Sequence, residues 1–319
     1  MSKRLKLLVS VALLAWLVHS ADWSKIGHTF SQLRPGLWLA AVVLYIATQF
    51  VSAVRWRLLA GPLGFHKSMK EYTAFYFIGM YFNLFLPTSV GGDVVRAWYL
   101  DAGSGRRLPA FLSVFVDRFS GLLVLLALAC IATLLCPVHL EHWVRASVGL
   151  TAICAVTGLL SLPLLARVTS RFERVQRLVA GTRLYLGRPG LLVGTTLLSL
   201  IVQVANVVLV WLVGQAIAAP IPASYYWVLV PMVTLLTLLP SVNGIGIREG
   251  GMYLFLQPFV DKPTALTLSF LWFSVFTAVS VLGAAIYLFG NFSRPGEQHD
   301  DPDLGSNPDQ GRARQPKAA

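Results

Sequence analysis

Charged side chains are scarce in this sequence, 13% of 319 residues, where a soluble domain carries about a quarter. A folded surface facing water needs more charge than that, so the composition excludes a pair of soluble domains of the same total length. The shortage is uneven. Residues 191–290 hold only four charged side chains: Arg248, Glu249, Asp261 and Lys262. Acid is scarcer than base, 14 residues against 26. In so apolar a chain the positive excess bears first on membrane topology. Nucleic-acid binding would need basic residues on a water-facing fold, so it is excluded as well. Cysteine is nearly absent. Cys130, Cys136 and Cys154 lie in or beside apolar runs without a C-x-x-C pair, which reads as packing. His139 and His142 flank Glu141 with no further ligand close by, so no metal is expected. P-loop, nucleophile-elbow, zincin and dinucleotide fingerprints are missing, and no cofactor is expected.

Long apolar runs take the place of these motifs. A membrane-spanning helix needs about 20 apolar residues. Segments 5–20, 36–54, 110–135, 144–166, 191–218 and 264–290 qualify or nearly do. The first follows Lys3, Arg4 and Lys6 and has signal-peptide character; an uncleaved first helix is the preferred reading. Segments 72–100 and 225–258 are apolar too, but Pro and Gly break each in the middle. If both crossed fully, the loop 167–188, with six arginines and one glutamate, would face outside. If both enter and return, 20 of the 26 Lys and Arg lie on the cytoplasmic side, as the positive-inside rule requires. The expected fold is therefore an all-α integral membrane protein. It has about six spanning helices and two re-entrant helical hairpins, within a domain over residues 1–290. Residues 291–319 are polar and rich in Pro, Gly and Asp, and are expected to form a disordered cytoplasmic tail.

The two broken segments resemble each other. One runs from Leu86-Pro87 through Ser89-Val90 and Gly91-Gly92-Asp93 to Arg96. The other runs from Leu239-Pro240 through Ser241-Val242 and Asn243-Gly244-Ile245-Gly246 to Arg248. Each lies between two full spans, and the threading puts them on opposite sides. Units of about 36–135 and 191–290 thus read as an inverted repeat, a transporter design with broken helices near the midplane.

Irregular backbone at membrane depth persists only where protein or a wet cavity surrounds it. Pro87 and Pro240 are placed to end the incoming helices. Gly91, Gly92, Gly244 and Gly246, with Ser89 and Asn243, would shape the break. Asp93 is expected to cap a helix starting near Val94, and Asn243 a second one. Helix starts favour anions, and a guanidinium grips phosphate with paired hydrogen bonds. Arg96 and Arg248 are therefore expected to hold one lipid phosphate between the halves, with Arg118 as a further contact. The alternative is that both arginines snorkel or pair with Asp93 and Glu249. Asp117 and Glu249 are expected to orient the arginines or couple to an ion. Asn83, Gln203 and Asn206 either line the path or hydrogen-bond neighbouring helices. Arg55, Trp56 and Arg57 read as an anchor at headgroup level, with lining of the cavity as the alternative.

The segments 86–96, Asp117-Arg118 and 240–250, in that order and separation, resemble the flippase-like transmembrane domain of lysylphosphatidylglycerol synthases. The resemblance covers about residues 5–290. That domain also occurs alone in bacterial and archaeal inner-membrane proteins, one of them associated with hopanoid biosynthesis. In full-length synthases a soluble aminoacyl-transferase domain follows it. Here a polar tail follows instead, so aminoacylation is not expected. The resemblance implies a lipid flippase in a bacterial inner membrane, with both termini cytoplasmic, no catalytic residues and a membrane lipid as substrate. The alternatives are a membrane-embedded lipid-modifying transferase, a subunit that presents lipid to a lipid-biosynthetic enzyme, or a lipid-binding scaffold without turnover.

Overall fold

The computed structural model describes residues 33–85, 91–102, 104–137, 141–168, 185, 187–238, 244, 246–290 and 292. Nine α-helices can be followed among them: α1 (Pro35–Ala60), α2 (Met69–Phe85), α3 (Gly91–Asp101), α4 (Arg107–Leu135), α5 (His142–Val168), α6 (Pro189–Ala216), α7 (Tyr226–Leu236), α8 (Ile247–Leu256) and α9 (Lys262–Phe289). No strand occurs among the described residues. Pro35 and Pro189 open α1 and α6, where a missing N–H costs nothing and φ is already helical. Asp261 caps α9, its carboxylate accepting the Thr264 N–H at 3.3 Å. A 3-10 turn, Gly61–Leu63, ends α1 at Gly64, whose φ of +83° only glycine adopts cheaply.

Among the described residues, four helices are long and apolar enough to cross a membrane: α1 with its 3-10 extension, α4, α6 and α9, each 28 or 29 residues. At 1.5 Å per residue each reaches about 40 Å, beyond the roughly 30 Å hydrocarbon core. The protein is an all-α, multi-pass membrane protein. Its surface agrees with that reading. Leu39, Val43, Phe115, Ile131, Leu134 and Phe289 point outward, while Arg55, Asp117 and Ser199 are buried. A soluble bundle would reverse this arrangement. Helix α5 covers the expected 144–166 span with 27 residues. The expected first span, 5–20, and the polar tail lie outside the described residues, apart from Phe292.

Each broken segment forms two short helices, α2–α3 and α7–α8. The break residues Pro87, Ser89, Pro240 and Asn243 lie outside the described residues. The order long, short, short, long therefore occurs twice, as α1–α4 and as α6–α9. Helix α1 lies along α6 in the most extensive pairing. Exchanging the two units maps the α2–α9 contact onto α7–α4, and α1–α9 onto α6–α4.

Glycines let these helices approach closely. A Cβ on Gly283 of α9 would overlap the Phe77 carbonyl of α2, and one on Gly214 of α6 would overlap the Tyr226 hydroxyl. That hydroxyl is buried, with no hydrogen-bond partner among the described residues. Gly214→Ala is therefore expected to destabilise the detergent-solubilised protein by about 1–3 kcal/mol. Tyr226→Phe alone is expected to cost little, because it removes an unsatisfied oxygen. In the double variant it should recover part of the loss. Thermal unfolding followed by tryptophan fluorescence checks this; additive effects would refute the contact.

Candidate functional site

Helix α1 carries a buried polar stripe, Thr48, Gln49, Ser52 and Arg55, at helical spacing on one face. At its end the Arg55 Nε lies 2.9 Å from Asp117 Oδ1 on α4. Arg55 Nη1 donates to Ser199 Oγ on α6 at 2.9 Å. The other oxygen of Asp117 accepts from Arg96 Nη2 of α3 at 3.1 Å. Arg96 Nε lies 3.1 Å from Asp93 Oδ1, one turn earlier on α3. The second oxygen of Asp93 pairs with Arg118 Nε, back on α4. A continuous line thus runs Ser199, Arg55, Asp117, Arg96, Asp93, Arg118 and ties α6, α1, α4 and α3 together.

Aromatic rings close over the middle of this line. The Arg96 Cζ lies 5.0 Å from the Trp56 ring and 4.7 Å from the Tyr76 ring, a cation–π arrangement on both partners. Trp56 is held in turn by a 3.1 Å hydrogen bond from its Nε1 to Ser113 Oγ. The Arg96 side chain is 4% exposed and that of Arg118 42%. The network is therefore sealed at Arg96 and opens at Arg118. Among the described residues, three guanidinium groups meet two carboxylates here.

Small residues let the helices meet here. A Cβ on Gly121 would lie 3.2 Å from Arg55 Nη1, and the Gly121 carbonyl accepts from Gln203 Nε2 at 3.0 Å. Asn83 on α2 accepts the Gly92 N–H at 2.8 Å, directly where Gly79 and Gly92 touch. Asn83 and Gln203 thus hydrogen-bond neighbouring helices, the second of the roles considered for them. Asn206 is half-buried, one turn along α6 from Gln203.

A second network sits on α8 and α9. Gly244 and Gly246, with φ of +74° and +83°, lead into α8. The Gly246 N–H donates to Glu249 Oε2 at 2.7 Å. Glu249 Oε1 accepts from Arg248 Nε at 3.0 Å and also pairs with its Nη2. Ser269 Oγ of α9 lies 3.3 Å from both partners, and the Arg248 Cζ sits 4.3 Å over the Phe273 ring. One guanidinium meets one carboxylate, so this set is neutral.

Several expectations need correction. Arg55 and Trp56 are not a headgroup anchor, since both are buried between helices; only Arg57 of that trio is exposed. Asp93 does not cap a helix starting near Val94. The helix begins at Gly91, and the carboxylate serves two arginines from within the first turn. Arg96 and Arg118 come together, whereas Arg248 keeps its own counter-ion on another pair of helices. Arg55 was the residue missed. The signal available was its place, at helical spacing, at the end of the Thr48, Gln49 and Ser52 stripe.

The family model described as lysylphosphatidylglycerol synthase TM region matches residues 4–283. The chain belongs to that family. Both networks fall inside the matched part. A curated relative, "Glycosyltransferase AglD" of Haloferax volcanii, is 28% identical over 87% of this chain. The match covers 52% of that protein, so the chain spans about half the length of the relative it resembles. No solved structure matches.

Proposed function

We propose that this member of the lysylphosphatidylglycerol synthase TM region family is a transporter, not an enzyme, that moves a phospholipid or other lipid-linked anion between leaflets. The observation that carries the reading is a buried network of three arginines and two aspartates, inside a membrane bundle, that opens at Arg118. Charge at this depth is costly and marks a path or a site. A phosphate would meet Arg118 through the charge-assisted bonds that guanidinium groups make. An open apolar groove of about 680 Å³ lies close by, lined by Phe50 of α1, Thr73 and Ala74 of α2, Ile286 and Phe289 of α9, and Lys70 at its edge. Thr73 is one helical turn from Tyr76, which covers Arg96. A polar site beside an apolar groove suits an amphiphile, with its head at the network and its chains in the groove or the surrounding lipid.

The matching contacts of α1–α4 and α6–α9 support an inverted repeat. If α2–α3 and α7–α8 are re-entrant, the crossings of α4 and α5 set α6 opposite to α1. Rocking of one unit against the other would then open the site to each leaflet in turn. The distribution of Lys and Arg favours cytoplasmic termini.

The test is movement of a fluorescent anionic lipid between leaflets of proteoliposomes. Wild type is expected to move it. Arg96→Ala and Arg118→Ala are expected to slow it by at least about tenfold, in protein that stays monodisperse. Arg248→Ala separates a site shared by both halves from one confined to the first. No movement by folded wild type with any lipid would overturn the transport reading. A second reading has one observation in its favour, the similarity to a protein named a glycosyltransferase. In that case the chain would present a lipid to a transferase. Asp93 and Asp117 each serve two guanidinium groups, which suits counter-ions better than general bases.

A further inference from the structure

We propose that the apolar groove between α2 and α9 has a headgroup seat of its own at its Lys70 end, and that this seat holds an anionic phospholipid outside the arginine–aspartate network. The seat is a second cavity of about 280 Å³, lined by Lys67, Ser68, Lys70, Glu71, Phe75 and Tyr99. Lys70 and Phe292 line both this cavity and the groove of about 680 Å³, so the two adjoin. The groove alone has the volume of a ligand pocket. Along α2, Lys70, Thr73, Ala74 and Phe77 follow at helical spacing on one face. Phe77 meets Phe50 of α1 edge-on, with ring centroids 5.9 Å apart, and Phe50 itself lines the groove. The groove is thus apolar at Phe50 and basic at Lys70, which is the polarity of an acyl chain with an anionic head.

The polar groups of the cavity separate one headgroup class from another. Lys67 Nζ lies 3.4 Å from Glu71 Oε1. Glu71 Oε2 accepts from the Ser68 N–H at 2.7 Å and from the Ser68 hydroxyl at 2.8 Å. Both oxygens of that carboxylate are therefore occupied, by the start of α2 and by Lys67. The Lys70 ammonium makes no ion pair or hydrogen bond among the described residues. Its apolar stem can lie along the groove while the charge reaches the cavity. The lining thus offers a cation to a phosphate and no free carboxylate to a headgroup amine, so an anionic phospholipid fits and a zwitterionic one does not. Phe75 packs against Tyr99 and Phe292, with centroids 5.3 and 5.9 Å away, an aromatic wall of the kind found at headgroup level. Lys70 stands six residues before Tyr76 on α2, about 9 Å of helix rise. A head seated there stays outside the rings that close over Arg96.

The experiment uses the full chain in phosphatidylcholine vesicles doped with a phosphatidylglycerol whose acyl chain carries a diazirine. After irradiation the labelled peptides are mapped. Labelling of residues 285–290 is measured against that of Leu134 and Leu135, which face outward on α4. In wild type the phosphatidylglycerol probe is expected to label 285–290 at least about fivefold more than a phosphatidylcholine probe with the same chain. Lys70→Gln should remove that difference, and Lys70→Arg should keep it. Lys70 is exposed, so neither replacement endangers the fold. Ala285→Trp, also at an exposed position, should lower labelling of 286–290 by filling the groove. Equal labelling by the two probes, a difference that survives Lys70→Gln, or labelling unchanged by Ala285→Trp would overturn the proposal. So would labelling of Leu134 without labelling of 285–290, because no lipid chain would then occupy the groove. Excess glycerophosphoglycerol, the same headgroup without chains, should leave the labelling unchanged. Competition by it would make the seat a site for a soluble phosphodiester and overturn the lipid assignment. Labelling is read without transport. The expected labelling in a protein that moves no lipid would sink the transport reading and leave the seat standing, and movement without the labelling would do the reverse.

Discussion

Asp117→Ala is expected to leave little folded protein after detergent extraction. Asp117 is fully buried on α4 and accepts from Arg55 on one oxygen and from Arg96 on the other. Removing it strands two guanidinium groups in the interior, with Asp93 left as their carboxylate among the described residues. Breaking a buried ion pair from one side costs about 3–5 kcal/mol, and here two pairs break together. Folded yield by gel filtration and the unfolding midpoint by tryptophan fluorescence measure the effect. The double replacement Arg55→Met with Asp117→Leu removes one charge of each sign and fills the same space. It is expected to recover a large part of the stability while abolishing lipid movement, because apolar substitutes for a buried pair are often neutral or better. A double variant no more stable than Asp117→Ala would show that burial of Arg55 is not what makes Asp117 necessary.

Gly92→Ala should be nearly as damaging, for a steric reason. The added Cβ would overlap the Gly79 carbonyl oxygen and crowd Asn83, which accepts the Gly92 N–H. A backbone carbonyl inside a helix cannot move aside as a flexible side chain can. Overpacking typically costs about 1–3 kcal/mol, and a backbone obstacle puts this variant at about 3 kcal/mol or more. The consequence reaches the site, because α3 carries Asp93 and Arg96 and α2 carries Tyr76. Gly250→Ala, in the short helix α8, is the control. Nothing lies within 4 Å of its added Cβ, and replacing a helical glycine by alanine gains about 0.5–1 kcal/mol. Equal unfolding midpoints for the two variants would refute the close approach of α2 and α3.

The membrane class was legible in the sequence because it follows from composition and run length. Four of the expected spans appear as α1, α4, α6 and α9 for that reason. The two broken segments were legible because Pro and Gly interrupt apolar runs at matching places, and α2–α3 and α7–α8 are the result. Asp93, Arg96, Asp117 and Arg118 stood out because a charge in an apolar run is conspicuous wherever its partner lies. The Arg96–Asp93 pair was legible as the alternative reading, one turn apart on one helix, but the partners from other helices were not. Asp117 meets Arg55, 62 residues away, and no local spacing encodes that distance. Arg55 looked like an anchor because it sits near a helix end beside Trp56 and Arg57. Only the packing of α1 against α4 and α6 turns it inward, and the same packing closes Trp56 and Tyr76 over Arg96. Sequence by itself determined the solvent this chain folds in, the places of four of its long apolar helices and the types of residue available for an anion, since these depend on composition and local periodicity. Tertiary structure decided which charges meet, because that depends on side chains brought together from four helices.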